Sequence, residues 1–303
     1  MASIHNVDSV GFFSQEQILG MGRTGLVVRQ GQLAIKLPLR WSTSSEEEVE
    51  ANIESLQHEQ AIYKRLGKYD GIVPFLGLTE TTTTLQVMEH GDLRSYLSRN
   101  QPSKHLQLFW FRLMARTLAY IHEQRIIVAD IASRNFLLDT DLSIKFCDFT
   151  ESAKLPLDTC MDTADDAGYS VQTDIGQLGA VMYEVVVGEK CDFDIFKNVP
   201  PELSRGGWPR REDLPSTQGV WLGSIIERCW TEGAFRNAHD LWKELESARV
   251  ENEPVEALWS PRRFLSIINR FPVSYRRSNF LPSTTTLLML GAIAVYAWSR
   301  RYN

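Results

Sequence analysis

The sequence predicts an α+β chain in which a small β-rich lobe is followed by a larger α-rich lobe, with a cleft between them and a candidate membrane-spanning tail at the end. Three observations predict it. Residues 10–40 and 72–90 alternate short apolar runs with turn residues, as strands do. From Leu93 onward, apolar residues recur at helical spacing over 93–99, 106–124, 174–188 and 218–247. Ser278 to Ser299 is a run of 22 residues without a charge.

Composition excludes several classes. With 43% hydrophobic and 23% charged residues, most of the chain has enough apolar material to fold. A mean hydropathy of -0.22 excludes a polytopic membrane protein. Four dispersed cysteines (Cys147, Cys160, Cys191, Cys229) exclude a zinc ribbon or a disulfide-stapled module and suit a reducing compartment. The net charge of -6 hides a split. Seven arginines and no acid follow Glu256, so residues 1–256 hold 25 basic against 38 acidic groups, or -13. So acidic a body lacks the clustered Lys and Arg that phosphate neutralisation needs, and no nucleic acid partner is expected.

Residues 1–13 have no basic, apolar leader pattern and read as an N-terminal extension. The β-rich lobe, 14–90, opens with GFFSQEQILG, LVVRQ and QLAIKL as strands, and IVPFLGL and TLQVME return to strands after a helix over 46–66. Ser44 or Ser45 is its N-cap, and Glu46, Glu47 and Glu48 fill a first turn whose dipole favours acids. The α-rich lobe spans 91–255 and carries the strand-loop-strand stretch IIVADIASRNFLLDTDLSIKFCDF.

Gly20-Met21-Gly22-Arg23-Thr24-Gly25-Leu26-Val27 fits G-x-G-x-x-G-x-V. Alone this is weak evidence, since a glycine-rich β-turn has the same look. A dinucleotide fold needs a helix after the glycines. Here VVRQGQLAIKL follows, which is a hairpin, so backbone amides can lie over triphosphate oxygens without Cβ collisions. Lys36 ends the next strand and by itself could be a solvated strand lysine. On the 46–66 helix, however, Glu59 falls about 40° from the centre of the apolar face at 100° per residue. A carboxylate there is costly unless paired, and Lys36 is the partner expected. Asp130, Asn135 and Asp148 each stand at the end of a short apolar strand, where three oxygen-bearing side chains can converge. Phosphoryl transfer needs two such oxygens for Mg2+ and a third to accept the hydroxyl proton.

In these motifs residues 14–250 resemble the protein kinase family. Asn135 lies five residues after Asp130 and Asp148 eighteen after, as in that family. Asp174-Ile175-Gly176-Gln177-Leu178-Gly179 is similar to the start of its central helix, whose aspartate braces the catalytic loop. The resemblance implies a two-lobed kinase fold whose glycine loop (Gly20, Gly22, Gly25, Val27), with Ala34, covers ATP. Lys36 would contact the α/β-phosphates, positioned by Glu59. Asp130 would be the catalytic base, and Asn135 and Asp148 would hold Mg2+. Met88 would be the gatekeeper, with adenine contacts at Glu89 and His90 in a hinge about three residues short.

Departures shape the expectations. Val128-Ala129-Asp130 lacks the arginine that pairs a phosphorylated activation loop, so activity independent of phosphorylation there is expected. Thr150 replaces the glycine after Asp148-Phe149, predicting a less mobile switch because threonine visits positive φ at a cost. No Ala-Pro-Glu motif is present, so Arg236 is expected to lack its usual glutamate partner. Asp148 and Asp174 are 26 residues apart, implying a reduced peptide-docking platform. Ala132 where serine/threonine kinases place lysine, with Arg134 two residues later, resembles the tyrosine-kinase and tyrosine-kinase-like groups. A serine/threonine-directed enzyme is favoured, with tyrosine possible. The alternatives are a membrane-anchored pseudokinase that scaffolds, and a kinase-fold small-molecule phosphotransferase.

The tail completes the reading. Phe280–Trp298 would span about 28 Å as a helix, near the hydrocarbon thickness of a bilayer. Residues 280–299 are therefore a candidate transmembrane anchor, 256–279 a basic juxtamembrane segment and 300–303 a short tail. The arginines of 262–277 suit anionic lipid and place the body in the cytosol, on the endoplasmic reticulum or the mitochondrial outer membrane.

Overall fold

The computed structural model describes residues 13–200 and 202–250. The candidate anchor 280–299, the basic segment 256–279 and residues 1–12 lie outside them. Among the described residues no helix is long and apolar enough to cross a membrane.

The first lobe is built on strands β1 (Ile18–Met21), β2 (Gly25–Gln30) and β3 (Leu33–Pro38), then helix α1 (Glu46–Leu66) and strands β4 (Phe75–Leu78) and β5 (Thr83–Gln86). The antiparallel sheet runs β1-β2-β3-β5-β4. The first predicted strand is shorter than expected. Ser14 caps a 3-10 turn over Gln15–Gln17, its N–H bonded to the Gln17 side chain at 3.0 Å, and only Ile18–Met21 pairs. Helix α1 keeps its predicted limits. Ser45 is the cap, and Glu48 completes a reciprocal pair of hydrogen bonds with it. Its apolar face, Val49, Leu56, Ile62, Tyr63 and Leu66, is buried.

The second lobe contains α2 (Leu93–Leu97), α3 (Lys104–Glu123), β6 (Ile126–Ile127), β7 (Phe136–Leu138), β8 (Ile144–Phe146), β9 (Ala153–Lys154), α4 (Val171–Val187), α5 (Gly223–Cys229) and α6 (Ala238–Ser247). Strands β7 and β8 pair as a hairpin, and β6 pairs with β9. One apolar core runs through both lobes, with Trp110, Phe111, Phe136 and Phe149 among its largest fully buried side chains. Helix α4 begins before Asp174, because Ser170 caps it through the Thr173 amide. The single helix expected over 218–247 is two. Gly233 takes a left-handed φ of 75°, and Asn237 starts a new helix by accepting from the Asp240 amide.

Candidate active site

Strand β3 and helix α1 bring Lys36 and Glu59 together. Val27 pairs with Lys36 across β2 and β3, and Lys36 with Thr83 across β3 and β5, which fixes the lysine's face. Its Nζ lies 2.8 Å from Glu59 Oε2 and 2.9 Å from Asp148 Oδ1. Glu59 is 1% exposed and Lys36 8%. The second Glu59 oxygen accepts the Phe149 N–H at 3.1 Å, so one buried carboxylate ties β3 to the Asp148 segment. Burial disfavours the charged ammonium, but the carboxylates of Glu59 and Asp148 outweigh it and hold Lys36 above its ordinary pKa. Burial likewise opposes ionisation of Asp148, and the bonds from Lys36 and Thr150 overcome it, keeping that carboxyl below the usual range.

Asp130 follows β6, and its surroundings are set by Asp174. That buried carboxylate accepts the Val128 N–H at 2.8 Å and the Ala129 N–H at 2.9 Å, and meets His122 Nε2 at 2.9 Å. Ala129 is thereby held at φ 65°, a conformation a non-glycine residue adopts only when its surroundings enforce it. The Asp130 carboxylate then receives Arg134 Nη2 at 2.5 and 2.7 Å and Asn135 Nδ2 at 2.9 Å. Asn135 also donates to the Asp130 carbonyl.

Do these side chains fit Mg2+? Asn135 uses its amide nitrogen for Asp130, and Asp148 uses Oδ1 for Lys36 and Thr150. Among the described residues, Asn135 Oδ1 and Asp148 Oδ2 form no hydrogen bond, leaving two hard oxygen donors. With a single carboxylate they fit a cation that shares its shell with phosphate and water.

The glycine loop joins β1 to β2, closed by Gly22 N–H bonding the Gly25 carbonyl at 2.8 Å. A Cβ on Gly25 would stand 3.1 Å from Lys36 Cε, so the strand passes closely over the lysine. A Cβ on Gly20 would meet nothing within 4 Å, so packing among the described residues does not require glycine there. Val27, Ala34 and Met88 belong to the same apolar cluster as Leu137.

The hinge departs from expectation. Met88–Gly91 closes as a turn, with Gly91 N–H on the Met88 carbonyl at 3.1 Å and Gly91 at φ 67°. The His90 N–H donates to Leu138 O at 3.1 Å, so that amide is engaged within the protein. The Glu89 side chain pairs with Arg29 at 2.7 Å.

Arg236 has no glutamate partner, as expected, but its Nη2 lies 2.5 Å from Asp162 Oδ2 in an exposed ion pair. Thr150 does not take a positive φ; the left-handed residue of this segment is Asp148, at φ 59°. The Thr150 hydroxyl instead donates to Asp148 Oδ1 at 2.7 Å and receives Lys36 Nζ at 3.1 Å. The sequence showed threonine only as a missing glycine, and nothing in its spacing signalled those bonds.

Comparison with known proteins agrees with this architecture. A model of the protein kinase domain matches residues 13–194, more than half of the chain. The serine/threonine/tyrosine-protein kinase HT1 of Arabidopsis thaliana is 25% identical over 228 residues, 68% of this chain and 57% of that protein. The serine/threonine-protein kinase SIK1 of Mus musculus is 28% identical over 205 residues, covering 59% and 25%. The receptor tyrosine-protein kinase erbB-4 of Homo sapiens is 23% identical over 268 residues, covering 78% and 20%. The chain thus spans between a fifth and three fifths of the length of these relatives. With a buried lysine between two carboxylates, a braced aspartate loop and a domain match over most of both lobes, the chain belongs to the protein kinase family.

Proposed function

We propose that this protein transfers a phosphoryl group from Mg-ATP to a protein hydroxyl. One observation carries the reading: Lys36 Nζ sits within 2.9 Å of both Glu59 and Asp148, which joins the phosphate-contacting group to the metal-binding segment. Mg2+, when bound, supplies charge neutralisation for the phosphates. Asn135 and Asp148 would hold it, Lys36 would orient the phosphates, and Asp130 would accept the hydroxyl proton.

The acceptor favoured is serine or threonine, on the similarity to serine/threonine kinases and to a relative named for all three hydroxyl residues. The uncharged run 280–299 and the arginines of 262–277 support a tether to an anionic membrane surface, with the catalytic body on the cytosolic side. The second reading, a nucleotide-binding scaffold without transfer, has one observation in its favour: the His90 amide is engaged by Leu138.

The purified chain, incubated with labelled ATP, Mg2+ and generic protein substrates beside Asp130→Asn, separates these readings. Transfer by wild type alone supports the enzyme. Nucleotide-induced thermal stabilisation without transfer supports the scaffold. Deleting 278–303 should release the protein from membranes, and continued attachment after carbonate extraction would remove the anchor from the proposal.

A further inference from the structure

An ammonium has three N–H bonds to give. Lys36 gives two of them, to Asp148 Oδ1 at 2.9 Å and to Thr150 Oγ1 at 3.1 Å, while its contact with Glu59 Oε2 at 2.8 Å is an ion pair. The single O–H of Thr150 goes to Asp148 Oδ1 at 2.7 Å. Lysine, aspartate and threonine therefore form a closed triangle of hydrogen bonds, and Oδ1 of Asp148 is occupied twice. That leaves Oδ2 as the oxygen of this carboxylate available to a cation. The residues around Thr150 are tied down in the same way, one after another. Phe149 N–H bonds Glu59, Glu151 pairs with Arg23 at 2.5 Å, and Ser152 Oγ bonds the Val128 carbonyl at 2.9 Å. Ala129 stands where a basic side chain could have drawn in a phosphorylated segment, so local bonds must hold this stretch.

We infer that Thr150 is a positioning residue: its hydroxyl bridges the Lys36 ammonium and the Asp148 carboxylate and fixes which Asp148 oxygen faces the metal. The inference rests on the proposed Mg-ATP reading of the site. Glycine has no group for this role, and valine has the shape without the hydrogen bonds. Serine retains the bonds.

The test uses the purified chain as wild type, Thr150→Val, Thr150→Gly and Thr150→Ser. Amide hydrogen exchange over 148–154 is followed without nucleotide, and Mg2+ is titrated against the thermal shift given by ATP. Loss of a hydrogen bond of ordinary net strength should speed exchange in that segment roughly fivefold in the valine and glycine variants, with α4 and α6 unchanged. The Mg2+ needed for half-maximal shift should rise by about the same factor, and serine should stay within about twofold of wild type on both measures. A valine variant that matches wild type, or a serine variant as impaired as valine, overturns the inference. If ATP gives wild type no thermal shift at any Mg2+ concentration, the Mg-ATP reading fails, and the exchange comparison still decides the role of Thr150.

Discussion

Asp162 and Arg236 lie 2.5 Å apart, joining the segment that follows β9 to the turn that precedes α6. Both side chains are largely exposed, at 47% and 74%, so the pair adds little to global stability. Its effect is local, because together with the Arg205–Asp165 pair it ties down the segment between β9 and α4. Arg236→Ala or Asp162→Ala should speed proteolytic cutting within 155–168 several-fold, and the double variant should cut no faster than either single one. Unfolding temperature should hardly move. Additive effects in the double variant would show that the two residues act separately.

Replacing Lys36 with methionine leaves Glu59 buried without its cation. The loss should be about 2–3 kcal/mol, at or below the low end for broken buried pairs, because a carboxyl whose pKa burial already raises can take up a proton. The sign of the pH dependence follows. A carboxyl with a folded pKa above its unfolded value destabilises the fold increasingly as pH rises past the unfolded value. The deficit of Lys36→Met should therefore be larger at pH 8 than at pH 5.5, as measured by urea unfolding. An equal deficit at both pH values would mean that Glu59 stays ionised without its partner.

Gly179 on α4 allows α5 to approach. A Cβ there would fall 2.5 Å from Cys229 Cβ and 3.2 Å from Trp230 Nε1. Alanine is the better helix former by about 1 kcal/mol, but overpacking costs about 1–3. Gly179→Ala should lower stability by about 1–2 kcal/mol in denaturant titration. A stabilised variant would show that α5 can shift away freely.

Thiol chemistry offers an independent check of burial. Cys160 is exposed and Cys229 buried, while Cys147 and Cys191 are partly covered. Burial pushes the Cys191 thiol up to about 12 and raises Cys147 and Cys229 as well. Iodoacetamide at pH 8 should therefore modify one cysteine quickly, and peptide mapping should find it at position 160, since thiolate is the reacting form.

Much of this architecture was legible before any coordinates. The limits of α1 followed from Ser45 and the three glutamates after it, because capping and charge act within one turn. Glu59 stood out because an acid on an apolar helix face needs a cation. The pairing of Arg236 was not legible, since its partner lies 74 residues away in the chain and carries none of the motif's letters. The turn at Met88–Gly91 was visible only as a shortage of residues, and the fate of the His90 amide depended on where Leu138 came to rest.

Periodicity, caps and charge on an apolar face are local properties of the chain, so the order of amino acids was enough to set the succession of most elements and the group of side chains able to handle a triphosphate. Tertiary structure alone decided which hydrogen bonds those groups spend on each other. Thr150 shares the Lys36 ammonium, Asp162 takes Arg236, and the hinge amide of His90 turns to Leu138. Donors and acceptors are few and directional, and which of them meet depends on segments brought together from distant parts of the chain.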